Sequence, residues 1–129
     1  RLRCVTGVQT CALPILNNSM WPPSSRGPNI RNIQKPNIVA PGVNIISAYP
    51  HNRYGNITGT SAAAAVTSGV AALFLQYVTQ NNQYKRQGFT QSIYSFFQLG
   101  ADREDNIQYP NFIYGYGLLN ARKIFEKFR

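Results

Sequence analysis

A serine stands between a glycine-bearing turn and an alanine-rich segment in the stretch GNITGTSAAAAVTSGVAALFLQY at residues 55 to 77. Ser61 follows Gly59 and Thr60, and residues 62 to 79 predict a helix buried on most sides, because alanine has the highest helix propensity and small side chains allow close packing. A hydroxyl at a helix N-terminus can cap the free amides of the first turn. It can also act as a nucleophile, because the helix dipole and a backbone N–H stabilise a developing oxyanion. The local pattern favours the cap and leaves the nucleophile open.

A nucleophilic serine needs a base and a group that orients the base. His51 is the only histidine, ten residues before the serine and without a neighbouring carboxylate in sequence. We therefore expect His51 to be an exposed loop residue. Asp102, Glu104 and Asp105 cluster beside an arginine, match no calcium-loop pattern and predict a charged turn.

The two cysteines, Cys4 and Cys11, lie in RLRCVTGVQTCALPI, which has neither helical nor strand periodicity. Their spacing matches no zinc-ligand pattern and no histidine is near, so no metal site and no cofactor are predicted. Residues 5 to 15 resemble a translated sequencing adapter. We therefore interpret residues 1 to 15 as a non-native scar, excluded from the fold, and residues 16 to 129 as native.

The charge and hydropathy of the chain bear on two kinds of partner. Its 129 residues contain 13 Lys and Arg against 4 Asp and Glu, a net charge of +9. The basic residues are scattered and do not interleave with aromatic residues, so nucleic acid is not an expected partner. Residues 61 to 78 lack charge and approach the length of a membrane span, but serine, threonine and glutamine interrupt them and no aromatic-basic anchor precedes them. We therefore expect no membrane span.

The elements around the serine are predicted from apolar runs and turn residues. Residues 38 to 40 and 43 to 46 predict strands that are covered on both faces of an α/β sheet, rather than a half-exposed hairpin. Residues 51 to 56 are predicted to form a loop. Two more helices are expected, the first with Thr90 as its N-cap: residues 91 to 99 and 118 to 128.

Three motifs occur in an order that resembles the subtilisin-like serine peptidases, and within them the clostridial spore-germination type. APGVNIIS occupies residues 40 to 47, GTS occupies residues 59 to 61, and the alanine-rich segment follows at once. SSRGP and YGYGLLNARKIF resemble the turn before this strand and the closing helix, so the resemblance covers residues 24 to 125. It implies an α/β fold that is part of the subtilisin-like fold: a mostly parallel sheet with helices on both faces, with only the C-terminal strands and helices present.

By this resemblance Ser61 is the catalytic nucleophile, and Gly59 and Thr60 lie in the substrate-binding site. The substrate would be a peptide or protein, and the protein would be secreted or spore-associated. The catalytic Asp and His of the family, and the Asn of its oxyanion hole, lie upstream of the serine. We therefore expect the N-terminal half of the domain to be missing from this chain, and the chain alone to be inactive.

The sequence also departs from the family pattern. Ala62 replaces the usual Met, Ala65 the usual Pro, Val66 a frequent His, and Asn37 the usual Asp. Some members of the family resemble pseudoproteases, so a retained serine does not establish activity. Two alternatives stay open: a non-catalytic subtilase-fold regulator or scaffold of partner proteases, and a small cationic or membrane-associated module unrelated to proteolysis.

Overall fold

The computed structural model describes residues 12–16, 19–80 and 89–128. Cys4 and Cys11 lie outside the described residues. The elements, in chain order, are β1 (Ala12–Leu16), β2 (Ser19–Met20), β3 (Ile38–Pro41), β4 (Ile45–Tyr49), β5 (Arg53–Ile57), α1 (Thr60–Gln80), α2 (Phe89–Leu99) and α3 (Ala121–Phe128).

The strand β3 is the buried strand of the first sheet. It pairs in parallel with β1, which in turn pairs antiparallel with β2. On the other edge of β3, Leu118 forms a parallel bridge with Val39. The strand is covered on both faces, as predicted, since three of its residues are at most 2% exposed: Ile38, Val39 and Ala40.

The strand β1 includes residues that were expected to lie outside the fold. Residues 12 to 15 belong to β1 and lie in register with β3. The short run ALPIL shows no alternation of apolar and polar residues, and a strand in a parallel sheet does not require any. Periodicity therefore missed this strand. That the segment is of adapter origin stays a prediction.

The second sheet is an antiparallel hairpin of β4 and β5, in which Ile45 lies opposite Ile57. Two predictions were wrong here: residues 43 to 46 do not form a strand covered on both faces, and the predicted loop at 51 to 56 contains most of β5. The turn is tight because His51 and Asn52 adopt positive φ values of 65° and 54°. The hairpin is largely exposed because no described element covers it.

The helix α1 confirms the predicted helix and extends it by two residues at its start and one at its end. It was expected to be buried on most sides, but it buries one side, through Ala62, Ala63, Thr67, Phe74 and Val78. The opposite side is exposed, because no described element packs on it. By length and composition alone α1 could cross a membrane, and the core helix of a soluble protein can be equally long and apolar.

The main core lies where the three helices meet around Phe74, which is fully buried. Its ring centroid lies 5.5 Å from that of Phe96, 6.5 Å from that of Phe97 and 5.6 Å from that of Phe125. These contacts join α1 to both α2 and α3. The helix α2 begins at Phe89, so Thr90 lies inside the helix rather than at its cap.

The helix α3 begins three residues later than predicted. Asn120 is its cap, because the Oδ1 atom of Asn120 accepts a hydrogen bond of 3.0 Å from the backbone N–H of Lys123. Leu118, predicted to be helical, instead forms bridges with Val39 and Asp102. Extended backbone at Leu118 satisfies the polar groups at the edge of β3, which a helical turn would leave unpaired.

Candidate active site

The Ser61 side chain lies on the surface at the second residue of α1. Among the residues that the structure describes, none forms a hydrogen bond with its hydroxyl. The cap favoured by the local pattern is therefore absent from the described contacts. The first turn is closed instead by the backbone, since the N–H of Ala63 donates to the carbonyl of Gly59 over 3.2 Å. The Ser61 hydroxyl is thus accessible at the N-terminus of a long helix.

Gly59 sets the direction from which the chain enters α1. Its φ of 157° is a conformation that residues with a side chain rarely adopt. The N–H of Gly59 donates a 2.8 Å hydrogen bond to the carbonyl of Gly42, just after β3. A Cβ atom on Gly59 would lie 3.5 Å from the Oγ atom of Ser61. Glycine at this position therefore fixes the turn and leaves space beside the serine hydroxyl.

A second hydrogen bond holds the same turn, one residue earlier in the chain. The Oγ1 atom of Thr58 accepts a 2.9 Å hydrogen bond from the backbone N–H of Asn44. Together with the bond from Gly59 to Gly42, it holds the start of α1 against the segment between β3 and β4. The roles of Gly42 and Thr58 were not predicted from the sequence. Their position inside and next to the two motifs was the available signal.

Small side chains let α1 approach β3 closely behind the serine. Ala40 and Ala63 are both fully buried and form one cluster, against which Leu119 packs. The Oγ1 atom of Thr67, also buried, donates to the carbonyl of Ala63 over 2.9 Å. Since interiors are close-packed, an alanine pair fixes the spacing of the two elements. Ser61, two residues before Ala63, is held by this packing.

The chemistry available at this turn is one half of an acyl-transfer site. The backbone amides of the first turn of α1 point out of the helix and carry its partial positive charge. They lie beside the exposed Ser61 hydroxyl and the half-buried Gly59, with Thr60 exposed between them. Such amides can stabilise an oxyanion at the position that a substrate carbonyl would occupy. What the described site lacks is a base that would accept the serine proton.

His51 does not supply that base. It is exposed in the turn of the hairpin, as predicted. The strand β5 runs from Arg53, beside the turn of the hairpin, to Ile57, where the hairpin meets the serine turn. These four steps along the strand cover about 13 Å at the rise of a β-strand. A proton acceptor must lie within hydrogen-bond reach, about 3 Å. The hairpin therefore carries His51 away from Ser61.

The carboxylates of Asp102, Glu104 and Asp105 lie in a charged turn, as predicted. Asp102 accepts a 2.7 Å hydrogen bond from the Nδ2 atom of Asn120 and forms an ion pair with Lys123, so it ties the turn to α3. Partial burial raises the pKa of Asp102, but the hydrogen bonds from Lys123 and Asn120 and the charge of Lys123 outweigh it and hold this pKa below 3.8. Glu104 and Asp105 are exposed. Among the described residues no group of three His, Cys, Asp or Glu could hold a metal ion.

Known proteins match this chain in sequence and in fold. The model of the subtilase family matches residues 5–117. The chain is 36% identical over 112 residues to the serine protease AprX of Bacillus subtilis (strain 168), an alignment that covers 76% of this chain and 23% of AprX. It is 48% identical over 48 residues to the major intracellular serine protease of the same organism, over 37% of this chain and 15% of that protein. The chain thus spans less than a quarter of the length of these relatives.

Solved structures agree with the sequence matches. The structure of the CspB protease of Clostridium perfringens superposes with a TM-score of 0.76 at 30% identity, over 89% of this chain and 25% of that one. The prenylagaramide maturation protease PagA gives a TM-score of 0.73 over 89% of this chain and 40% of that one, and at 24% identity it supports the fold alone. The predicted α/β, subtilisin-like fold is confirmed. With Gly59, Thr60 and Ser61 at the start of α1, the chain belongs to the subtilase family.

Proposed function

We propose that Ser61 is the nucleophile of a subtilisin-like serine endopeptidase, and that sequence outside this chain supplies the catalytic His and Asp and the oxyanion-hole Asn. The observation that carries the proposal is the exposed Ser61 hydroxyl at the N-terminus of α1, behind the Gly59 turn. The family match and the relatives described as serine proteases support it. The similarity to the CspB protease supports the further proposal of a clostridial spore-germination type.

The reaction follows from the position of the serine. The Oγ atom of Ser61 attacks the carbonyl carbon of a peptide bond while its proton passes to the imidazole of the outside histidine. The N–H groups at the start of α1 stabilise the resulting oxyanion, and the outside asparagine adds a second donor. The imidazole then gives the proton to the leaving amine, which leaves an acyl ester on Ser61. Water hydrolyses this ester, and Gly59 and Thr60 line the substrate site beside it.

The test uses the complete reading frame that contains this chain, assayed for hydrolysis of a casein-type protein substrate. Ser61→Ala should lower kcat about a millionfold, because removal of the nucleophile has this effect in the best-studied subtilase. Ser68→Ala is the matched control: Ser68 is also exposed on α1, but its Oγ atom donates to the carbonyl of Ala64 over 2.9 Å. Ser68→Ala should keep full activity.

Two results would reject the nucleophile. One is a Ser61→Ala protein that keeps its activity, and the other is a 129-residue chain that hydrolyses the substrate by itself. A complete reading frame without Asp, His and Asn at the family positions would instead support the alternative, a non-catalytic subtilase-fold regulator or scaffold. The observation that favours this alternative is the departure from the family pattern at Ala62, Ala65 and Val66.

A further inference from the structure

Exposed apolar and basic side chains gather on two loops that the proposed catalysis does not use. The first loop precedes β3 and the second precedes α3. Ile30 is fully exposed, and Ile33, Phe112 and Ile113 are 50%, 43% and 38% exposed. We call the set the Arg-Ile surface, made of Arg26, Ile30, Arg31, Ile33, Phe112 and Ile113.

Hydrogen bonds join the two loops. The backbone N–H of Gly27 donates to the carbonyl of Phe112 over 2.9 Å. The Nε2 atom of Gln34 donates to the carbonyl of Asn111 over 2.6 Å. Gly27 and Gln34 flank the tip of the first loop, so the tip is held beside the second loop at both of its ends. The Arg-Ile surface is therefore one surface rather than two separate loops.

Each loop is also ordered internally. The Oδ1 atom of Asn29 accepts hydrogen bonds from the backbone N–H groups of Arg31 and Ile33, over 3.0 Å and 2.8 Å. In the second loop the Oδ1 atom of Asn111 accepts from Ile113 and Tyr114, over 2.9 Å and 2.7 Å. Apolar side chains are thus exposed on a preorganised backbone, which lowers the entropic cost of binding a partner.

The positive charge of this surface is not neutralised within the described chain. The first 101 residues contain no Asp or Glu, and none occurs from residue 106 to residue 125. The second loop carries Asp102, Glu104 and Asp105 near its start, but among the described residues none of these carboxylates pairs with Arg26 or Arg31. The guanidinium groups of Arg26 and Arg31 form no ion pair or hydrogen bond with the described residues, and both side chains are exposed. A complementary partner would bring the negative charge.

The residue types of the surface distinguish between two classes of partner. Protein interfaces are enriched in arginine and aromatic residues and depleted in lysine, which is the composition found here. Recognition of anionic lipid usually needs a cluster of about 4 to 8 basic residues, and this surface has two arginines. Arginine also binds carboxylates in a bidentate geometry that lysine cannot match. These features favour a protein over a membrane.

We propose that the Arg-Ile surface docks an acidic protein segment in which carboxylates flank an aliphatic or aromatic side chain. The carboxylates pair with Arg26 and Arg31, and the apolar side chain packs on Ile30, Ile33 and Phe112. This docking is independent of Ser61 and of the proposed peptidase activity.

The test presents a display library of short random-sequence peptides to the full 129-residue chain. The selected peptides should be enriched in Asp and Glu on either side of Leu, Ile or Phe. Synthetic copies of them should bind Arg31→Gln and Ile30→Ser at least about tenfold more weakly than the parent chain. Arg53→Gln is the matched control, because Arg53 is exposed on the hairpin and its removal changes the net charge equally. It should bind like the parent chain.

Three outcomes would overturn the proposal. The first is the absence of acidic enrichment, or of any selected peptide. The second is equal weakening by Arg31→Gln and Arg53→Gln, which would indicate net charge alone. The third is binding to phosphatidylserine vesicles that depends on Arg31 and Ile30 while no acidic peptide binds, which would assign the surface to a membrane. Both substituted side chains are fully or largely exposed, so the variants should fold, and their circular dichroism should match that of the parent.

Discussion

The outer face of α1 gives a prediction whose size can be worked out from the structure. Leu73 and Leu75 are 59% and 40% exposed, so together they expose about one whole leucine side chain. Burial of a leucine contributes about 1.5–3 kcal/mol. We expect the N-terminal half of the proposed complete domain to cover this face, which the 129-residue chain leaves open. We therefore expect the chain to self-associate, and the double variant Leu73→Gln, Leu75→Gln to lower the association constant about 10- to 100-fold.

Sedimentation velocity over a series of concentrations measures this association, and binding of a hydrophobic dye should fall in parallel. Leu99→Gln is the control, because Leu99 is 62% exposed but lies at the end of α2. It should leave the association constant unchanged. The reasoning would be refuted by a parent chain that stays monomeric at all concentrations, binds no dye and unfolds sharply and cooperatively. Such a result would show that the exposed face of α1 does not drive self-association.

Three further predictions concern the packing and the ion pair. Phe74→Ala should lower the opening free energy of the α1 amides by about 3–5 kcal/mol, as measured by hydrogen exchange. Leu73→Ala is the control and should change this free energy little. Equal effects of the two substitutions would contradict the assigned core. Asp102 has a pKa below its ordinary value of 3.8, so its contribution to stability is present above that pH and is lost as pH falls through the lowered pKa. Exchange at α3 should therefore accelerate, relative to neighbouring helices, only below about pH 4, and Asp102→Asn should abolish this pH dependence. Gly59→Ala in the complete reading frame should lower kcat, because a side chain at this position strains the turn beside Ser61. Hydrogen exchange in the core around Phe74 should stay unchanged. Full activity of this variant would exclude the role of the glycine.

The helices were predictable because their signals are local. Alanine propensity identified α1, and apolar spacing identified α2 within two residues. The start of α3 was missed because the bridge from Leu118 to Val39 is a contact between distant parts of the chain, which overrides helical spacing. Asn120 offered a capping signal that could have placed the helix correctly.

The strands were less predictable because their burial depends on the partners that cover them. The apolar residues of β4 looked like those of a buried strand, yet Ile46 is 72% exposed in a hairpin that no described element covers. The residues of β1 were left out of the predicted fold because they were interpreted as non-native. Their pairing with β3 is seen only in the register of the sheet. Apolar composition indicates that a segment can be buried, not what buries it.

For the candidate site, the motif alone predicted Ser61 as the nucleophile, and this stays a prediction. The bond from Gly59 to Gly42 and the alanine contact behind the serine required the structure, because they join residues on different elements. His51 was expected to be an exposed loop residue rather than a base, and the length of the hairpin gives the physical reason.

The most direct test of the central claim, that Ser61 is the nucleophile, is labelling with a fluorophosphonate probe followed by mass-spectrometric mapping of the modified residue. In the protein made from the complete reading frame, we expect rapid stoichiometric modification of Ser61, which Ser61→Ala abolishes and Ser68→Ala does not. In the 129-residue chain we expect no labelling, because nothing described there can accept the proton of the hydroxyl. Modification of a different serine in an active protein, or rapid labelling of Ser61 in the chain alone, would contradict the account.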